Sequence, residues 1–305
     1  MKKIIISLSV LMMITLLIVM FFYQTDPKLT TPSWERTLEE ANEKKEVQEP
    51  EPMVPIYVGD SVAYSLQHDE VSVTYDHGSE WVRVPVEKDA LFAGEYSGNK
   101  QELIENSFIL TNDRALFLSY EGGIHVTYSL DQGETWKKAT ITEEFPPIRF
   151  RKVKFLNESF GYVIISGDRT MSQEWTTVFL TNDGGETWRE TNHSNVTRLI
   201  GDGGFVDENT GFLSFGTINP TEPDFYVTQD AGDTWNKATI LIPEEYQRIF
   251  VMAETPFKEG DHLAMFINQG PNGDYEGGRV KGKFLSTDNG VTWEFSMEVS
   301  PDEEN

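Results

Sequence analysis

Apolar positions along the chain fall into two regimes. Residues 4–23 (IIISLSVLMMITLLIVMFFY) form a run of 20 residues without a charge, interrupted only by Ser7, Ser9 and Thr15. As a helix such a run spans about 30 Å, the thickness of a bilayer's hydrocarbon core. It ends in Phe21-Phe22-Tyr23-Gln24, too bulky for a signal-peptidase site, so an uncleaved anchor over 1–23 is predicted. Lys2 and Lys3 precede the run and predict a cytoplasmic N-terminus with the rest of the chain outside. Residues 24–55 are polar, charged and Pro-containing, and read as a stalk. From residue 56 to residue 305 the pattern changes. Short apolar runs alternate with turns rich in Asp, Asn, Gly and Ser, and no stretch keeps a helical period.

The short runs repeat. SLDQGETW (129–136) recurs as TNDGGETW (181–188), TQDAGDTW (228–235) and STDNGVTW (286–293), with a looser copy, TYDHGSEW (74–81). A second phrase, an apolar strand end followed by a polar turn and another strand, precedes it in FLNESFGYVIIS (155–166) and FVDENTGFLSFG (205–216). Successive copies lie about fifty residues apart, the period of a four-stranded propeller blade. The pattern predicts an all-β propeller of five four-stranded blades over roughly 52–88, 100–143, 148–192, 197–242 and 247–300. The innermost strand of the first blade must come from MVPIYVG (53–59).

The eight-residue phrase fits the turn between a blade's third and fourth strands. A carboxylate at Asp76, Asp131, Asp183, Asp230 and Asp288 can accept backbone N–H bonds from the residues after it. Gly78, Gly133, Gly185, Gly232 and Gly290 supply positive φ cheaply. Trp81, Trp136, Trp188, Trp235 and Trp293 then fill space between neighbouring blades. Five of the seven tryptophans occupy this one position, and such uniformity predicts scaffold rather than a binding platform. Each turn also offers too few oxygens for calcium. The pattern [ST]-x-D-x-G-x-T-W resembles the Asp box, or BNR repeat, of sialidases, sortilin-type receptors and photosystem II assembly factors. Four copies match it fully; the first has Glu80 in place of Thr. The resemblance implies a propeller of that family. It says little about activity, because those relatives differ in what they do.

Charge and composition narrow the function. A net charge of −25 repels nucleic acid and anionic headgroups. The absence of cysteine excludes disulfides, thiolate metal sites and a cysteine nucleophile. The five histidines are scattered, and no nucleotide, zinc-hydrolase or serine-hydrolase motif stands in its required context. Sialidases carry a Phe-Arg-Ile-Pro motif ahead of their boxes; here PIRFRKV (147–153) holds similar residue types in another order and reads as a strand.

The expected protein is therefore a bacterial, membrane-anchored, extracytoplasmic binding or assembly module without catalysis or cofactor. Its partner would be another protein or an extracellular glycan, and the chain is expected to be a monomer. The alternative is a sialidase-like glycoside hydrolase. By resemblance to the sialidases, a ligand should meet the face opposite the boxes, formed by loops between second and third strands. These are uneven: GDRTMSQEWT (167–176), TINPTEPD (217–224) and NQGPNGDYEGGRVKG (268–282) are the long ones. Arg169, Trp175, Tyr275 and Arg279 are the candidate ligand-face residues, since aromatics and Arg most often anchor interfaces.

Overall fold

The computed structural model describes residues 12–21, 51–171, 173–217 and 219–300. The chain divides into two compact units, Met1–Pro52 and Met53–Asn305. In the first, residues 12–21 form a helix with exposed apolar side chains. Among the described residues no helix is long and apolar enough to cross a membrane. Most of the anchor expected over 1–23 and of the stalk expected over 24–55 lies outside the described residues.

The second unit is a propeller-like series of antiparallel sheets, here numbered I to V in chain order. Sheet I contains Ile56–Tyr57, Ala63–Ser65, Ser72–Thr74 and Val82–Arg83. Sheet II contains Phe108–Leu110, Ala115–Tyr120, Ile124–Ser129 and Lys137–Thr142. Sheet III contains Ile148–Phe155, Gly161–Thr170, Gln173–Thr181 and Arg189–Glu190, and sheet IV contains Leu199–Phe205, Gly211–Gly216, Asp224–Thr228 and Asn236–Lys237. In these four sheets each strand pairs with the next in sequence, so each is a four-stranded meander.

Sheet V departs from the expected plan. Its innermost strand is split into Met252–Ala253 and Phe257–Glu259, both paired with His262–Asn268; Lys281–Ser286 and Thr292–Val299 follow. Thr239–Leu241, expected in the fourth blade, instead runs parallel to Thr292–Val299 at the outer edge of sheet V. The reason lies in the strand before it. Asn236–Lys237 is only two residues long, and Thr239 N then donates to Val291 O at 2.8 Å. The expected absence of helix also needs correction: a single turn, Lys88–Phe92, sits in the I–II connection and buries Leu91 and Phe92.

Burial on both sheet faces explains the unbroken apolar runs in the sequence. In strand Gly161–Thr170, Val163 and Ile165 enter the core between sheets II and III, while Tyr162 and Ile164 enter the core between III and IV. Similar cores join I to II, around Tyr64, Val73 and Phe117, and IV to V, around Phe212, Met265 and Phe284. Each core receives the box tryptophan of the later sheet: Trp136, Trp188, Trp235 and Trp293 in turn. Trp81 of sheet I is in none of the four. On its face away from the I–II core, sheet I carries only small side chains along its two middle strands. Ala63, Ser65, Ser72 and Thr74 share that face by register and are at most 5% exposed.

Candidate functional site

The antiparallel meanders give the unit two ends. Turns between first and second strands and between third and fourth strands lie at one end. The remaining loops lie at the other. At the first end the five repeated phrases fold alike. Ser129 Oγ donates to Asp131 Oδ1 at 2.7 Å and accepts from Gly133 N at 2.8 Å. Asp131 Oδ1 accepts Thr135 N at 2.9 Å, and Oδ2 accepts Thr135 Oγ1 at 2.5 Å. The same bonds recur in sheets III and IV at Thr181, Asp183, Gly185 and Thr187, and at Thr228, Asp230, Gly232 and Thr234. Sheet V repeats them through Ser286, Asp288, Gly290 and Thr292 N. In sheet I, Asp76 Oδ1 accepts Thr74 Oγ1, Ser79 N and Glu80 N, but Glu80 has no hydroxyl to offer the second oxygen. All five box glycines stand at positive φ, from 83° to 102°.

These turns use up most of their own polar atoms; the buried Trp136 indole N–H is an exception, with no hydrogen-bond partner among the described residues. The Thr135 hydroxyl and N–H, joined by Ser129, hold the Asp131 carboxyl down at about 2. Thr187 does the same for Asp183, also at about 2. Trp81, Trp188 and Trp293 donate their indole N–H to the carbonyl of the box glycine, whereas Trp235 donates to Asn192 O. Arg114 ties sheet II to sheet III here: it donates to Gly184 O at 3.0 Å and Glu158 O at 2.6 Å, and lies 3.8 Å over the Phe155 ring.

The opposite end is built from the starts of first strands and the ends of second strands. Arg149, one residue into sheet III, donates from Nε and Nη2 to both oxygens of Glu174, at 2.5 and 2.6 Å, and from Nη2 to Ile200 O at 2.6 Å. Glu174 Oε1 also accepts Ile200 N at 2.6 Å, and its side chain is fully buried. This bidentate pair locks sheet III to sheet IV. Beside it lies a cleft of about 400 Å³, walled by Arg149, Leu199, Ile200, Met252, Asn268 and Pro271, with Gly201, Gly216 and Gly270 also lining it. The glycines keep it open. A Cβ on Gly201 would stand 3.2 Å from Met252 Cε, and one on Gly270, at φ +68°, 3.4 Å from Met252 Sδ.

Deeper in, Lys152 Nζ meets Asp202 Oδ1 at 2.6 Å and Thr255 Oγ1 at 3.0 Å, joining the first strands of sheets III and IV to the break in that of sheet V. Asp202 Oδ2 accepts both Thr255 N and Oγ1 at 2.8 Å. Burial opposes the Asp202 charge, but Lys152 and these bonds outweigh it and hold the carboxyl below its usual range. Arg151, buried, donates to Leu91 O at 2.9 Å and Ala93 O at 2.5 Å, and burial pushes its guanidinium down to about 10.

The four residues expected at the ligand face are at this end, and the structure divides them. The stretch 167–176, expected as a loop, is mostly a strand extension: Gly161–Thr170 and Gln173–Thr181 continue pairing to Thr170↔Gln173. The reason is β-compatible sequence on both arms, Thr-rich on the second. On this hairpin Arg169 pairs with Glu95 at 3.2 Å, and Trp175, 43% exposed, packs edge-on against His193 at 4.5 Å. Tyr275 belongs to sheet V, where its hydroxyl donates to Glu298 at 2.7 Å and its ring meets Tyr246. That bond, with burial, pushes the Tyr275 phenol up to about 12. Arg279 is exposed and has no side-chain partner among the described residues. Arg149, Glu174 and Met252 escaped the sequence reading; the clue available for Arg149 was PIRFRKV, two arginines at the start of a strand.

The family model of the DUF6242 beta propeller domain matches residues 28–273, and the chain belongs to that family. No curated protein matches it. Among solved structures it is similar to the GH74 xyloglucanase from Xanthomonas campestris, at 14% identity and a TM-score of 0.41, over 77% of this chain and 36% of that one. An ancestral GH74 enzyme is 15% identical with a TM-score of 0.43, over 80% and 31%. RS223-Beta-xylosidase is 10% identical with a TM-score of 0.38, over 64% and 78%. The chain thus spans about a third of each GH74 enzyme.

Proposed function

Starting from membership in a β-propeller family, we propose that this chain is a five-bladed Asp-box propeller that binds a partner without catalysis. In this reading the apolar run at 4–23 holds it at the outer face of a bacterial membrane, and the partner is another protein. The end opposite the boxes is the working face. One observation carries the reading: four carboxylates at the inner margin of that end are committed to ion pairs. Glu174 is held by Arg149, Asp202 by Lys152, Glu254 by Lys281 and Glu95 by Arg169. Glycoside hydrolysis needs two carboxyl groups facing each other across a bond, one protonated and one ionised, with room for a sugar. Carboxylates neutralised by Arg or Lys serve poorly as the acid of such a pair, because the neighbouring cation favours their ionised form.

The test uses the full-length protein in detergent, incubated with solubilised membranes and, separately, with aryl glycosides and oligosaccharides. The expected result is capture of a protein partner and no sugar release. Trp175→Ala should lower capture while leaving the melting temperature nearly unchanged, since the ring is half-exposed and makes one aromatic contact. Sugar release that disappears in Asp202→Asn or Glu174→Gln would establish the hydrolase reading instead.

A further inference from the structure

We infer that the working face carries a groove for an extended peptide, which sets an apolar side chain against Met252 and a carboxylate against Arg248. The inference rests on the binding reading above and adds the chemistry of the ligand. The Met252 cleft does not end at its own walls. Pro271 is shared with a second cleft of about 290 Å³, which Pro220, Thr221, Arg248, Ile249 and Tyr275 also line. Thr221 and Arg248 are shared in turn with a third. The three clefts thus adjoin one another, from the strand starts near Arg149 along the loops of sheets IV and V.

The two ends of this groove differ in chemistry. At the Met252 end the lining is aliphatic, from Leu199, Ile200, Met252 and Pro271, and no aromatic ring is among its walls. Such a surface desolvates a branched aliphatic or thioether side chain well. A sugar face, which packs best on a flat ring, finds no platform there. Arg149 lines the same cleft and, with Nε and Nη2 taken by Glu174 and Ile200, has no partner for Nη1 among the described residues. A neutralised guanidinium with a free N–H suits a peptide carbonyl.

At the other end Arg248 is the reverse case. Its guanidinium has no partner among the described residues, in a chain with 50 acidic and only 25 basic side chains. Its backbone sits at φ 64°, a conformation that costs a non-glycine residue energy. Two bonds fix it there: Ile249 N and Phe250 N both donate to Tyr246 O, at 3.1 and 3.3 Å. A left-handed arginine, unpaired on an acidic protein and lining a groove, is suited to an incoming carboxylate. Nucleic acid could supply an anion too, but the net charge of −25 repels a polyanion.

The experiment measures fluorescence anisotropy of labelled, Gly/Ser-rich dodecapeptides on the full-length protein in detergent. Each peptide carries one Leu and one Asp, at separations of one to four residues, with Leu→Ser and Asp→Asn controls. At least one separation should give saturable binding, weakened about tenfold by either control and by Arg248→Glu. The same protein variant should recover binding to a peptide with Lys in place of Asp. Met252→Ala should weaken the Leu peptide and spare the Leu→Ser control. Arg248 is exposed, so its variant keeps the fold, and unchanged melting temperature verifies this. The inference is overturned if no separation saturates, or if Arg248→Glu binds the Leu/Asp peptide as the native protein does. If peptides fail while Trp175→Ala still lowers capture of a protein partner, the binding reading stands and only the peptide groove falls.

Discussion

The two ends of the strands obey different rules. At the box end, turns far apart in sequence make the same bonds at nearly the same lengths: the Ser or Thr hydroxyl meets its Asp at 2.7–2.8 Å in all five sheets. At the other end the connections differ in length and form. Sheet III extends a hairpin, sheet V winds a short 3-10 turn through Tyr275–Gly278, and the I–II connection carries the turn Lys88–Phe92. The box end meets one geometric demand repeatedly, closing a strand pair and sending an indole toward the previous sheet. Once five copies satisfy it, most of their donors and acceptors are spent on one another. The loop end carries no shared demand, so its residues are free to differ, and its unpaired groups, such as Arg248, are available.

The sharpest test of this contrast is Trp293→Ala. Trp293 is fully buried and packs against Phe212 and Phe225 of the preceding sheet, so its loss should cost about 3–5 kcal/mol, read as a drop in the denaturation midpoint. Trp81→Ala, in none of the four cores, should cost clearly less. Equal losses would mean that the five boxes are also equal in packing. Next is Glu174→Gln, which should cost about 3 kcal/mol in chemical denaturation because it leaves Arg149 beside a neutral amide. That variant shows that the loop end contains scaffold too, at its inner margin.

Acid should then test the boxes. Asp131 and Asp183 have folded pKa values of about 2, below the ordinary 3.8. Between these values the unfolded chain takes up protons that the folded boxes refuse, so the stabilisation is complete above about pH 4 and is lost as pH falls towards 2. Melting temperatures followed across that window should decline, and less so in an Asp131→Asn, Asp183→Asn double variant. The smallest effect is a gain. Glu80→Thr would give Asp76 the hydroxyl that the other boxes have, raising the melting temperature on the order of 1 °C. No gain would mean that the first box does not need that bond.

Sequence reading recovered what repetition encodes. Box glycines, aspartates and tryptophans announce themselves because the same local geometry is written five times, and strand order follows from that spacing. The first sheet's inner strand, Ile56–Tyr57, lies within MVPIYVG but carries no repeated phrase, so repetition could not mark it. What escaped it depends on distances that sequence does not display. Arg149 and Glu174 are 25 residues apart and meet only because a hairpin returns the chain to its start. The cleft between sheets III, IV and V is a product of three glycines, two on sheet IV and one after a strand of sheet V, that face one methionine. Arg169 and Trp175 looked like partners of Tyr275 and Arg279 because all four stand in long loops. The fold instead turns Arg169 to Glu95 and Tyr275 to Glu298. Thr239–Leu241 was assigned to the wrong sheet because its hydrophobic pattern suits either neighbour; only the partner's position decides.

That strand has a consequence for how the chain is made. Thr239 pairs with Thr292, and Leu241 with Glu294. On a ribosome the earlier segment must therefore wait for about fifty more residues before its edge is covered. At roughly 5–20 residues per second this is a delay of about 3–10 s, during which sheet IV is complete but its exit strand is unpaired. Leu241, half-exposed even in the finished protein, is then open to any other unpaired edge nearby. Newly made chains are most vulnerable to mispairing in that interval, and a chain truncated before residue 292 would carry the open edge permanently.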